Sequence, residues 1–184
     1  FDSYSSFLPS IGFHIVKSGG KRLRPLFLLL SAELCGTKND NNYHLASIIE
    51  ALHTASLLHD DVIDGAKTRR GMPSANVRWG NQIVILVGDY LYANSLRLAV
   101  AQRNHKIMEA LSSATTKMTE GEIIQLEKTA NPEITLEEYY KIIEGKTAAL
   151  ISCACRIGAI ISNTTDEKEY KLADFGLKTG IAFQ

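Results

Sequence analysis

Proline is sparse, four residues in 184, so little in the chain forbids a helix from continuing. Cysteine is sparse too: three residues, an odd number, with Cys153 and Cys155 separated by one residue rather than by a metal-knuckle spacing. That pattern excludes a disulfide framework and a zinc site. It fits small buried thiols in a reducing compartment, and the expected location is cytoplasmic. Neither sign of charge is in excess, with 20 Lys and Arg against 20 Asp and Glu. A broad basic face for nucleic acid is therefore not expected, although a local cation cluster can still serve a small anion. Uninterrupted apolar runs stop at about five residues (26–30 and 83–87), far short of the roughly 18 that span a bilayer. The expectation is a soluble protein without stable membrane insertion and with no signal peptide in view.

What the chain does have is helical apolar spacing. Leu45, Ile48, Ile49, Leu52, Ala55 and Ser56 recur at three and four, and strand-like alternation is scarce. The spacing predicts helices over roughly 2–17, 24–35, 42–64, 80–102, 105–130, 135–162 and 166–184. Gly19 and Gly20 close the first, Asn39 to Asn42 cap the third, Gly65 follows it, and Thr135 with Glu138 forms a capping box opening the sixth. The 65–79 stretch reads as the one sizeable irregular loop. The reading is one all-α domain over 1–184. Its first residue is Phe1 and its last, Gln184, falls inside an apolar helical pattern, so both ends read as cut.

Two charge clusters oppose their local helix fields. The third predicted helix ends His59-Asp60-Asp61-Val62-Ile63-Asp64-Gly65, and each carboxylate at a helix C-terminus is disfavoured by about 0.3–1 kcal/mol. Asp60 and Asp64 share a face about 6 Å apart, and at an effective dielectric near 20 they repel by about 3 kcal/mol if shielded from water. A cation between them relieves this, and oxygen-only donors with a position open for substrate suit Mg²⁺. Asp61 lies about 100° round the helix and takes a supporting role. The alternative, a solvated acidic helix end, is opposed by the apolar Leu57, Leu58, Val62 and Ile63 between the carboxylates.

Gly19-Gly20-Lys21-Arg22-Leu23-Arg24-Pro25 is the mirror image, three cations at the start of a helix whose amides are already positive. Lys21 and Arg24, three apart on one side, and two glycines that allow close approach are the parts of a phosphate site. Thr68-Arg69-Arg70-Gly71 adds two guanidiniums suited to bidentate phosphate contact. In Gly145-Lys146-Thr147 a glycine interrupts a helical pattern, which often has a packing or functional cause. His53, two turns before Asp60 on nearly the same face, has the reading of an ordinary core histidine beside that of a ligand.

GGKRLRP at 19–25, His53, DDVID at 60–64, TRRG at 68–71 and GKT at 145–147, in this order, resemble the trans-polyprenyl diphosphate synthases over essentially the whole chain. A DDxxD motif alone is shared with class I terpene cyclases; its combination with GGKRLRP and TRRG is far more specific. The resemblance implies the N-terminal part of an isoprenoid synthase-type helical bundle around a central cavity. It implies Mg²⁺-dependent prenyl transfer, in which an allylic diphosphate ionises, isopentenyl diphosphate attacks the cation, and a proton is lost. By motif position, Asp60, Asp61 and Asp64 bind metal; Lys21, Arg24, His53 and Arg70 bind isopentenyl diphosphate; and Arg69 holds the allylic diphosphate. Lys146, Thr147 and Gln184 line the allylic pocket as its catalytic polar groups, and Glu122 and Gln125 are further residues that can approach it.

Ala55 and Ser56, small residues one turn before the aspartates, leave room for a growing hydrocarbon, which in this family goes with long products such as octaprenyl or heptaprenyl diphosphate. The family also implies a homodimer. Its second aspartate-rich motif falls after the GIAFQ-like segment, where this sequence stops, so the 184-residue piece by itself is expected to be inactive. Two alternatives are a partner-dependent, non-catalytic subunit of a heteromeric synthase and, less favoured because of GGKRLRP, a class I terpene cyclase.

Overall fold

The computed structural model describes residues 5–184. Among them the chain forms α1 (Phe7–Lys17), α2 (Leu23–Leu34), α3 (Asn41–Ile63), β1 (Thr68–Arg69), β2 (Met72–Pro73), α4 (Ala75–Trp79) and α5 (Asn81–Val100). It continues through α6 (His105–Lys128), α7 (Leu136–Ile143), a π-helical turn (Glu144–Ala148), α8 (Ala149–Ile160) and α9 (Asp166–Phe183). The all-α expectation holds: the one sheet among these residues is a hairpin pairing Thr68 with Pro73 and Arg69 with Met72.

Three local expectations need correction. The first helix begins at Phe7, with Ser5 and Ser6 before it; the earlier part of its expected span, 2–4, lies outside the described residues. The 65–79 stretch is an ordered hairpin and a short helix, because Ser74 Oγ donates to the Ala66 carbonyl at 2.6 Å and the Ser74 amide to Lys67 O at 3.1 Å. The helix expected over 135–162 is continuous but contains a π turn, whose extra residue per turn accommodates a close helix crossing at Gly145.

The chain divides into two compact units, 1–22 with 50–98, and 23–49 with 99–184. The core of the first joins Leu8 and Ile11 of α1, Ala55 and Leu58 of α3, Ala75 of α4, and Val84, Val87 and Leu91 of α5. The three α5 residues fall at three and four, the stripe that an amphipathic helix buries. By length and composition α5 is also apolar enough to cross a bilayer, although no apolar run in it exceeds about five residues. Asp89 stands mid-helix and is held by His59 at 3.2 Å, a charge that is costly inside a membrane.

In the second unit α8 is buried on nearly every side and packs against α2, α6 and α9. Such a helix tolerates polar groups only where they are satisfied. Ser152 donates to Ala173 O at 2.7 Å, and Arg156 reaches the buried Glu169 at 2.9 Å, which Lys106 also binds at 2.9 Å. Cys153 and Cys155 are buried as expected, and burial pushes the Cys153 thiol up to about 12. Small residues set the helix spacing. A Cβ on Gly158 would lie 2.5 Å from Leu28 O and 2.8 Å from Ala32 N, so α2 backbone rests directly on α8.

Gly158→Ala forces these backbones apart, and urea denaturation is expected to show a loss of about 1–3 kcal/mol. At the start of α7, Glu138 completes the expected capping box with Thr135 and pairs with Lys128 at 2.7 Å. The hydrogen bond from Lys128, and then that from the Thr135 amide, hold its carboxyl down at about 2. A depressed carboxylate stabilises the fold above its unfolded value of 4.5 and loses that contribution as pH falls toward about 2. NMR titration of Glu138 is expected to report this midpoint, and Lys128→Met to raise it.

Candidate functional site

The DDVID turn closes α3 in the first unit. Its last carbonyls are satisfied: the Ala66 amide bonds Asp61 O at 2.9 Å, and Asn76 Nδ2 of α4 reaches the same oxygen at 3.1 Å. This anchoring leaves the three carboxylates with unequal surroundings. Asp64 is exposed and Asp60 half-buried, one turn apart on one face. Asp61 is only 3% exposed, and Arg69 of the hairpin clamps it, with Nε at 2.8 and 2.9 Å from its two oxygens and Nη2 at 2.6 Å. The trio therefore does not converge as one ligand cluster. No group of three His, Cys, Asp or Glu side chains disposed to hold a metal occurs among the described residues. Asp61 binds the hairpin arginine, whereas Asp60 and Asp64 are the more accessible two of the three.

The GGKRLRP segment is organised around Arg22, which the sequence reading passed over. Arg22 has a φ of +50°, uncommon for a residue with a side chain, and its guanidinium is paired with Glu50 of α3. Glu50 lies three residues before His53, hence on the same side of α3. This ion pair fixes the loop that carries Lys21. The left-handed residue also breaks the helical register between Lys21 and Arg24: Arg24 stands in the first turn of α2, Lys21 precedes that helix, and the expected sharing of one helix side does not hold. Arg70 meets this loop directly. A Cβ on Gly20 would sit 2.6 Å from Arg70 Nη1, so only glycine lets the guanidinium lie against the backbone. Arg70 and the Gly20 backbone thus come together in the first unit, with Lys21 next in the chain. The overlooked signal was Glu50, an acid one turn before His53 with an arginine inside GGKRLRP to match.

Ala55 is 1% exposed, inside the apolar cluster, whereas Ser56 is half-buried, its hydroxyl donating to the His53 carbonyl at 2.8 Å. Of the two small residues, Ser56 is the partly exposed one.

In the second unit the π turn presents the GKT residues. A Cβ on Gly145 would lie 2.6 Å from Lys117 O and 2.9 Å from Gly121 Cα, so α6 crosses the turn at two facing glycines. Lys146 reaches back to α6, donating to Gln125 Oε1 at 2.8 Å and pairing with Glu122 at 3.2 Å. The Thr147 hydroxyl donates to Gln184 Oε1. Lys146 is therefore held by Glu122 and Gln125, and Thr147 and Gln184 form a pair of their own.

The chain matches the polyprenyl synthetase family over residues 6–184. It is 39% identical over 174 residues to octaprenyl diphosphate synthase of Escherichia coli (strain K12), covering 95% of this chain and 54% of that protein. It is 39% identical over 178 residues to heptaprenyl diphosphate synthase component 2 of Bacillus subtilis (strain 168), covering 96% of this chain and 51% of that one. A crystal structure of polyprenyl synthase from Caulobacter crescentus CB15, complexed with calcium and isoprenyl diphosphate, superposes with a TM-score of 0.96 at 39% identity. It covers all of this chain and 56% of that structure. The chain spans about half the length of the curated relatives it matches.

The aspartates should separate by experiment. Asp61→Ala strands the Arg69 guanidinium and is expected to cost about 2–3 kcal/mol in urea denaturation. Asp64→Ala, at an exposed position, should stay within about 0.5 kcal/mol of the parent.

Proposed function

The chain belongs to the polyprenyl synthetase family, and from that premise we propose that it serves a trans-prenyltransferase joining isopentenyl diphosphate to an allylic diphosphate to build a long all-trans polyprenyl diphosphate. The observation that carries the reading is the assembly in the first unit: an oxygen-only carboxylate pair at the end of α3, beside a hairpin of two arginines, one lying against the glycine loop of GGKRLRP.

The donor set fits Mg²⁺, since Asp60 and Asp64 supply two carboxylates and leave coordination positions for diphosphate oxygens and water. When bound, that ion neutralises charge on the allylic diphosphate and so favours its departure. The protein's own groups do the rest. Arg69 spends Nε and Nη2 on Asp61, which aims its remaining edge as a rigid donor to the allylic diphosphate. Lys21, Arg24, His53 and Arg70 take the diphosphate of isopentenyl diphosphate. Thr147 and Gln184 offer oxygens to the allylic cation, and Lys146, held by Glu122 and Gln125, is kept from wandering into solvent. The double bond of isopentenyl diphosphate is the nucleophile, and the proton released after carbon–carbon bond formation passes to the departed diphosphate, so neither a side-chain nucleophile nor a side-chain base is needed.

The name of the B. subtilis relative, component 2, supports a second reading, action with a partner subunit, beside the homodimer that the family resemblance implies. Native mass spectrometry separates one kind of chain from two.

Two substitutions test the reading in a radiolabelled condensation assay on the native protein. Asp60→Asn is expected to lower kcat/KM roughly a thousandfold, and activity near the parent's would refute the metal assignment. Ser56→Phe is expected to shorten the product ladder. Ala55→Phe is the poorer probe, because a ring at a buried core position costs about 1–3 kcal/mol in overpacking.

A further inference from the structure

His14 belongs to no motif in the sequence, yet it is only 6% exposed and both its ring nitrogens are engaged. Nε2 lies 2.9 Å from the Pro73 carbonyl, and Nδ1 lies 3.1 Å from Arg78 Nη1. A carbonyl only accepts and a guanidinium only donates, so the ring carries its hydrogen on Nε2 and accepts at Nδ1. Trp79 meets the ring edge-on at 5.1 Å, and Arg78 in turn covers the Trp79 face at 4.8 Å. The imidazole is thus fixed in position, tautomer and orientation by α4 and β2.

Pro73 closes the hairpin whose other strand holds Arg69, and Arg70 follows at its turn. The hairpin is only two residues long on each side, too short to hold its own shape. Asp61 grips it at Arg69, and His14 grips the opposite strand. A small cavity of about 20 Å³ between these grips is lined by His14, Ser18, Asp61, Arg69, Arg70 and Pro73. From this geometry we propose that His14 is a positioning residue for diphosphate binding: by holding the Pro73 carbonyl from α1, it fixes the hairpin at the place from which Arg70 reaches the glycine loop and its substrate. The proposal rests on the reading of Arg70 as a ligand of isopentenyl diphosphate.

The test uses steady-state kinetics and amide hydrogen exchange on the native protein. His14→Leu is expected to raise KM for isopentenyl diphosphate roughly tenfold with kcat within about threefold, and to speed exchange of the Ser74 amide. His14→Gln, whose side-chain amide can still donate to Pro73 O, should remain close to the parent in both. Arg78→Met, at an exposed position, should shift both in the direction of His14→Leu, and it carries the test if His14→Leu does not fold. Unchanged KM and exchange in Arg78→Met and in any folded His14→Leu overturn the proposal, as does failure of His14→Gln to rescue. Arg70→Gln separates the two levels. If it raises KM while folded His14→Leu does not, the positioning role alone fails; if it leaves KM unchanged, the diphosphate reading fails and the positioning role falls with it.

Discussion

The ion pair between Asp61 and Arg69 is the constraint on which the rest of the first unit hangs. A carboxylate at a helix C-terminus meets an unfavourable field, and burying it adds a desolvation cost that only a close, geometrically matched cation repays. Arg69 supplies that match through two nitrogens. The ion pair sets the hairpin against the end of α3, and the neighbouring Arg70 is thereby delivered to the backbone of Gly20. Asp60 and Asp64 lie nearer the surface than Asp61, one turn apart on one face of the helix end. The helix end thus gives its three carboxylates unequal surroundings, with Asp61 buried and holding the hairpin.

The second unit solves a different problem. Two of its candidates, Lys146 and Thr147, sit at the start of a helix that is otherwise almost wholly buried, where a lysine would be expensive. The π turn at Glu144–Ala148 gives the polar residues a local departure from the α-helical register, and the facing Gly121 and Gly145 let α6 come close enough for Glu122 and Gln125 to hold Lys146. Charge and close packing are therefore coupled, since a bulkier residue at either glycine would move the acid away from the lysine it holds. The Lys106, Arg156 and Glu169 network does comparable work at the other end of α8, where a carboxylate exposed by only 2% is paired with two cations.

Most of the architecture was legible in the sequence because it rests on local and periodic signals. Helix spacing, the Asn and Thr caps, and the glycines after α1 and α3 are short-range properties that tertiary packing left in force. The errors fell where long-range contacts override local ones. The 65–79 segment lacks helical periodicity and looked irregular, yet Ser74 and Asn76 order it through bonds to Ala66 and Asp61. The irregularity at Gly145 was visible, but its form as a π turn goes with the close crossing of α6, more than twenty residues away.

The sequence by itself determined an all-helical chain, the family to which it belongs, and the residue types that carry charge against the helix fields. These follow from composition, period and motif order, which need no third dimension. Only the tertiary structure decided which of those charges are spoken for: that Asp61 belongs to Arg69, Arg22 to Glu50, Lys146 to Glu122, and that Ala55 faces the core while Ser56 does not. The reason is that a charge is assigned by distance and burial, and both are set by elements far apart in the chain.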